Sequence, residues 1–354
     1  MTRRSDPEAL SVSDAVKRFV RRMRRDKAES TVRTYRLDLR QFVQWCDAEG
    51  IEQVSELEKI DFELYQDDRA AEIEPTSLEN QMGLLKRFVK FCEDIGALPE
   101  GFHESVHVPR ATVEEQSRDE KLSTEDATEL LLFFRDKSND LFGSKWHAIL
   151  EVIWHTGARI GGIRALDLED FDSEFHVLEF RHRPRQGTPL KNKQDGERDV
   201  AILPVVAEAL ECYIEEHRIE QHDEEGRAPL FTTRSQQARP STNTVRAWVY
   251  QATQPCWHTD EPCPHDKRRE FCDWTSSAAS SKCPSSRSPH AVRTGAITFH
   301  RDRGFDPNDT SERVNASLRT IEKHYDKAAR REKMENRRRP QLEKLSLNNE
   351  SERE

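Results

Sequence analysis

The chain has 354 residues, 34% of them hydrophobic and 34% charged, with a formal net charge of −10. That length suits two domains better than one, and no run approaches the roughly 20 apolar residues that a membrane span requires. The opening MTRRSDPEALSVSD has basic residues but no apolar segment behind them, so no signal peptide is expected and the sequence predicts a cytoplasmic protein with no membrane partner.

The acidic balance hides local basic blocks. Residues 17–40 hold ten Lys or Arg against three acids, 181–198 six against two, and 281–303 five against one. Such blocks can meet phosphates locally even on an acidic molecule. Lysine is scarce, 16 of the 56 basic residues against 66 acids, a composition that points to a halophilic cytoplasm.

Residues 1–9 are expected to be a flexible start. Over 10–47 two helices are predicted: Val12, Val16, Phe19 and Met23 recur at helical spacing, as do Tyr35, Leu39, Phe42, Val43 and Cys46 after the Ser30-Thr31 start signal. Two more follow around Lys59–Ala71 and Thr76–Ile95, the second with Leu78, Met82, Leu85, Phe88, Val89 and Cys92 on one face and Gly96 and Pro99 beyond it. Residues 10–102 thus read as an all-helical domain, with the Arg-rich outer face of the first helix a candidate DNA contact. Residues 103–121 are polar, aperiodic and broken by Pro109, the composition of a linker. The second domain, 122–330, opens at LSTEDATELLLFF with Ser123 or Thr124 as cap. A helix is predicted over Lys145–Thr156. FHVLEFRHRPR and ERDVAILP then form a β-hairpin around KNKQDGE, and helices follow at Val205–Glu220, Thr242–Thr253, His290–Asp302 and Ser317–Arg330. The charged tail 331–354 is expected to be mobile. The fold class is mainly α with a small β-hairpin or sheet, an α+β fold.

Within the second domain, an insertion over 254–285 carries Cys256, Cys263, Cys272 and Cys283, with His258 and His265 between them. It is polar, Pro-rich and nearly without aliphatic residues, so it cannot form its own core. The candidate readings are a structural zinc held by the four cysteines and His265, free thiols in a loop, or disulfides. A reducing compartment and soft ligands favour zinc. Cys46, Cys92 and Cys212 fall on apolar helical faces and read as core.

Four separated clusters converge on phosphate chemistry: Arg159 in HTGARIGGIRALDLED, Lys191 and Lys193 in TPLKNKQDGERDVAI, His290 and Arg293 one helical turn apart, and Tyr325 in RTIEKHYDK. Two guanidinium forks can hold the non-bridging oxygens of a phosphodiester. A phenol can attack phosphorus to form a covalent ester, and a lysine at a hairpin tip can protonate the leaving 5′-oxygen. Such a set breaks and rejoins a strand with no cofactor for the chemistry.

In this order the clusters resemble the tyrosine recombinase, or phage integrase, family over residues 10–330. The resemblance implies a helical core-binding domain of SAM-like type followed by a catalytic domain, together clamping double-stranded DNA. It implies a site-specific recombinase that works through a 3′-phosphotyrosine, as a homodimer on short inverted half-sites and a homotetramer in synapsis. It assigns Arg159 and Arg293 as the catalytic arginines, His290 as their partner, Lys193 or Lys191 as the lysine, and Tyr325 as the nucleophile. Asn315 stands in the Gly-His-Ser-like turn, in the role of the family's histidine or tryptophan, with one extra residue before Tyr325. Gly162 stands where the family usually carries an acid. The CPH…C…KCPSS segment is similar to one in integrases of salt-loving archaea. Two alternatives share the motifs: a zinc-bearing DNA-binding regulator that has lost cleavage, and a type IB topoisomerase-like relaxing enzyme.

Overall fold

The computed structural model describes residues 10–112, 120–257, 262–325 and 330–345. The chain forms two compact units, Met1–Arg118 and Asp119–Glu354. The expected flexible start, parts of the expected linker and tail, and His258 lie outside the described residues.

The first unit is built from four helices: α1 Val12–Met23, α2 Glu29–Glu49, α3 Lys59–Ala70 and α4 Pro75–Asp94. Ser11 caps α1 by accepting the Asp14 N–H at 3.1 Å, and Pro75 occupies the first turn of α4, where its missing N–H costs nothing. The apolar stripes meet in an aromatic core of Phe19, Phe42, Phe62 and Phe88, none more than 2% exposed. Phe42 meets Tyr65 edge-on at 5.1 Å and Phe19 meets Phe88 edge-on at 5.8 Å, contacts worth about 0.5–1.5 kcal/mol each beyond area burial. Cys46 and Cys92 are fully buried, and burial pushes both thiols up to about 12. The opposite face of α1 presents Lys17, Arg18 and Arg21 to solvent.

In the second unit, α5 spans Thr124–Arg135, α6 Lys145–Thr156 and α7 Ile160–Ala165. Ser123, one of the two expected caps, accepts the Asp126 N–H at 2.9 Å. HAILEVIW makes α6 apolar on nearly every side, so it is the buried central helix. Strands β1 Phe171–Asp172, β2 Val177–Phe180 and β3 Arg198–Ala201 form an antiparallel sheet in that order. The register runs from Val177 opposite Ala201 to Phe180 opposite Arg198. This is the expected hairpin with one short extra strand. After it come α8 Pro204–Cys212, α9 Thr242–Ala252, α10 Pro289–Asp302, α11 Pro307–Val314 and α12 Leu318–Thr320. Helices α8, α9 and α10 all pack on α6. The observed class is mainly helical α+β, as the sequence predicts. No helix among the described residues is long and apolar enough to cross a membrane.

Three local differences from the sequence reading matter. α8 gives way to a π-helical turn over Tyr213–His217 instead of running to Glu220, which leaves Cys212 half-buried rather than in the core. α11 was not expected at all; PNDTSERV has one apolar residue and no periodicity, and Asp306 starts the helix by accepting the Asn308 N–H. The predicted helix from Ser317 is α12 followed by a π-helical turn, Ile321–Tyr325.

The insertion does without its own core by borrowing one. Trp257 lies 5.5 Å from Trp146 and carries the Arg269 guanidinium 3.3 Å from its ring centre. Gln251 and Gln254 on the α9 side donate to the Thr275 and Trp274 carbonyls at 2.6 and 2.8 Å.

Beside the sheet, Arg183, Arg227 and Arg239 are neutralised by Asp167, Asp170 and Asp223. Arg183 reaches Asp170 at 2.7 Å, Arg227 reaches Asp223 at 3.1 Å, and Arg239 reaches Asp223 at 2.9 Å. The acids of the ALDLED stretch are therefore structural partners of these arginines.

Candidate active site

The site forms where α6 ends, α10 and α11 begin and end, and the hairpin loop folds over. Gly157 terminates α6 in a left-handed conformation, φ +58°. A Cβ there would meet Val314 Cγ1 at 2.7 Å, so only glycine lets α11 approach. Arg159 follows at the start of α7, with extended backbone that aims it away from the helix. Its Nη1 donates to the Asn315 carbonyl at 2.6 Å.

Arg293, one turn into α10, is 2% exposed. Its Nη1 donates to the Gly157 carbonyl, whereas Nε and Nη2 are buried with no hydrogen-bond partner. Burial pulls its guanidinium down to about 10; the Tyr325 phenol opposes that fall and Arg159 adds to it. Tyr325, 6% exposed, lies under this guanidinium with 5.0 Å from Cζ to the ring centre. His290 flanks the same ring at 5.3 Å between centroids. The π-helical turn is fixed by Thr298 of α10, whose Oγ1 donates to the Tyr325 carbonyl at 2.9 Å. Arg159, His290, Arg293 and Tyr325 thus come together within one chain.

The two lysines separate. Lys191 lines a narrow cleft with Arg159, Asn192, Arg198 and Asn315. Lys193 is exposed, has left-handed backbone at φ +54°, and is not among the residues lining that cleft.

Asn315, in the turn before Tyr325, is held by partners inside the protein. It is the left-handed cap of α11, φ +50°, a conformation asparagine tolerates. Its Nδ2 donates to the Asp195 carbonyl at 2.7 Å and its Oδ1 accepts from Asn192 Nδ2. Asn315 thus ties the hairpin loop to Arg159.

Sequence reasoning missed Arg198, Arg313 and Glu151. Arg198 Nε donates to the Arg313 carbonyl at 2.7 Å. Arg313 Nε and Nη2 donate to the His155 carbonyl at 2.9 and 2.7 Å. Below them Glu151, fully buried, takes Arg135 at 2.6 Å with His147 and His155 at 3.4 and 3.3 Å. Burial alone would raise its carboxyl, but the close approach of both histidines and the two hydrogen bonds from Arg135 hold it well below the usual range. The only signal in the sequence was an acid inside the apolar run of α6.

His300, 5% exposed, is pulled from 6.5 down to about 3 by burial and by the nearby Arg313 and His155. A histidine with a depressed folded value stabilises the protein above 6.5, and that stability is lost as pH falls from 6.5 toward about 3. The slope is about 1.4 kcal/mol per pH unit. Unfolding free energy measured by urea titration is expected to fall across this window. His300→Phe is expected to flatten the slope, and an unchanged slope in the variant would exclude His300 as its source.

Among the described residues no three of the expected zinc ligands bring their donor atoms within 4.8 Å of one another, although Cys283 feels the charge of Cys256 and Cys263. Cys256 Sγ accepts from Arg269 Nη1 at 2.9 Å and His265 Nε2 pairs with Ser285 Oγ at 2.9 Å. Burial pushes the Cys283 thiol up. Among the described residues the group whose donor atoms lie within 4.8 Å of one another is Cys212, Glu216 and His217. The ligand set Cys256, Cys263, Cys272, Cys283 and His265 therefore finds no support here, because spacing along the chain does not fix where the donor atoms point.

Residues 16–94 match the family model of the phage integrase N-terminal SAM-like domain. No curated protein matches the chain. Among solved structures, the Tn1549 transposon integrase in complex with a circular intermediate DNA is similar at 14% identity, over 95% of this chain and 100% of that one, with a TM-score of 0.63. A lambda integrase dimer bound to a COC′ core site is similar at 10% identity, over 90% of this chain and 78% of that one, with a TM-score of 0.61. A lambda integrase tetramer bound to a Holliday junction gives 10% identity, 88% and 78% coverage, and a TM-score of 0.59. The chain carries a phage integrase N-terminal SAM-like domain and, over nearly its whole length, the fold of the integrases, the tyrosine recombinases its sequence resembles.

Proposed function

We propose that this chain is a site-specific DNA recombinase that cleaves and rejoins strands through a 3′-phosphotyrosine at Tyr325. The observation that carries this reading is Arg293: a buried guanidinium with two unpartnered nitrogens, Nε and Nη2, set over the ring of a tyrosine. A buried cation with open donors is costly unless an anion completes it, and a backbone phosphate does so.

In this reading Arg159 and Arg293 hold the non-bridging oxygens and stabilise the charge that builds on them. The Tyr325 oxygen attacks phosphorus, and its proton passes to His290. The bond to the 5′-oxygen breaks, and that oxygen takes a proton from the Lys191 ammonium. We assign Lys191 over Lys193 because it lines the cleft with Arg159. One phosphate ester is exchanged for another, so rejoining needs no nucleotide hydrolysis. The exposed basic face of α1 supplies phosphate contacts from the first unit. A lambda integrase of this fold forms a dimer on a core site and a tetramer on a Holliday junction. That supports a homodimer on paired half-sites of double-stranded DNA and a homotetramer in synapsis for this chain.

The test uses the full chain and duplexes it selects from a random library. After incubation with EDTA and denaturation in SDS, a strand is expected to migrate with the protein. Protease treatment should leave that DNA with a free 5′-hydroxyl and a blocked 3′ end. Binding without any protein-linked strand would favour the non-cleaving regulator and overturn the enzyme reading.

A further inference from the structure

We propose that Arg198 is a positioning residue for strand cleavage, clasping the hairpin loop so that Lys191 meets the leaving oxygen. The inference rests on the recombinase reading and extends it to a residue that the sequence motifs leave out.

Arg198 opens β3, directly opposite Phe180 in the register. Its guanidinium lies over that ring, 4.1 Å from Cζ to the centre. From there it makes two bonds to two different segments: Nη1 to the Gly196 carbonyl at 3.0 Å, at the end of the hairpin loop, and Nε to the Arg313 carbonyl at 2.7 Å, in α11. Along the same loop Asn315 accepts from Asn192 and donates to the Asp195 carbonyl. The segment carrying Lys191 is therefore stapled to the α11 terminus twice, and the same terminus receives Arg159. A planar fork can serve two carbonyls while stacking on an aromatic face; a lysine ammonium cannot.

Charge separates Arg198 from the structural arginines of the same unit. Arg183, Arg227 and Arg239 each pair with an aspartate, whereas among the described residues Arg198 forms no ion pair. Burial, together with Arg293, Arg159 and Arg313, pulls its guanidinium down to about 9. The position where the resemblance leads one to expect an acid is Gly162, and a Cβ there would press on Phe180 Cδ1 at 3.3 Å. A side chain at that position would have to push on the ring that supports Arg198. An uncompensated cation held by carbonyls beside the proton donor fits a geometric role completed by bound phosphate.

The experiment compares cleavage of an ordinary duplex with one carrying sulfur in place of the bridging 5′-oxygen, since a thiolate leaves without needing a proton. For Arg198→Lys, adduct formation on the ordinary duplex is expected to slow by on the order of 100-fold, the lower range for a general acid. On the sulfur-bridged duplex the loss should shrink to within about 5-fold, again because no proton is required. Equal slowing on both duplexes, or no slowing, would overturn the proposal. Should Arg198→Lys fail to fold, Asn192→Ala loosens the same loop from its exposed end and must give the same sulfur-rescued loss; a loss that sulfur does not rescue, or none, counts against the clasp. If the unmodified protein forms no adduct on either duplex, the recombinase reading has failed instead.

Discussion

Tyr325→Phe is expected to bind its selected duplex as the unmodified chain does and to leave no strand attached to protein after denaturation. The substitution removes one oxygen and keeps the ring. That ring makes the contacts seen in the fold, 5.0 Å from the Arg293 guanidinium and 5.3 Å from His290, and its carbonyl still receives Thr298. Thermal stability should therefore move by no more than about 1 kcal/mol, the scale of a single hydrogen bond, while the covalent product falls below detection because the attacking atom is gone. Gel shift measures binding and SDS electrophoresis measures the adduct. A persistent adduct would mean that another nucleophile does the work, and the assignment of Tyr325 would be wrong.

Where the chemistry was legible in the sequence, it was so because one local rule was enough. His290 and Arg293 fall a turn apart on a helix whose start is marked by Ser288 and Pro289, and the structure builds α10 from that signal. The stripes of α1 and α4 could only be core, and the β-branched runs on either side of KNKQDGE could only pair. Elsewhere the deciding facts are tertiary. Nothing in PNDTSERV announces α11, yet its terminus carries the turn that receives both Arg159 and the hairpin loop. The place of Asn315 in the chain suggests a phosphate donor; that its left-handed backbone and two internal partners also make it a tether is visible only in the fold. Arg198 and Arg239 look alike in sequence, and only folding reveals that one meets an aspartate and the other does not. The cysteines are a like case: count and compartment argue for zinc, but the direction of each Sγ belongs to the folded insertion and cannot be read from spacing.

Arg293→Met carries the second large effect, and it separates catalysis from stability. The native guanidinium is 2% exposed and leaves Nε and Nη2 unpartnered, so in the absence of phosphate the fold bears the cost of burying an incomplete cation. Replacing a buried charge by an apolar side chain of similar length is often neutral or stabilising, by about 1–4 kcal/mol. Lost in exchange are the bond from Nη1 to the Gly157 carbonyl, worth about 1–3 kcal/mol if that oxygen stays unsatisfied, and the cation's contact with the Tyr325 ring, worth about 0.5–2 kcal/mol. Gain and loss nearly cancel, and the melting temperature of the variant is expected to stay level. Cleavage should drop by at least on the order of 10²–10³-fold, the usual result of removing one preorganised donor to a developing oxyanion. The unmodified protein should also gain stability when sulfate replaces chloride at equal ionic strength, since a bound anion stabilises the state that holds it, and Arg293→Met should gain less. A variant that melts well below the parent and shows the same response to sulfate would make Arg293 a structural arginine, and the phosphate site built on it would have to be abandoned.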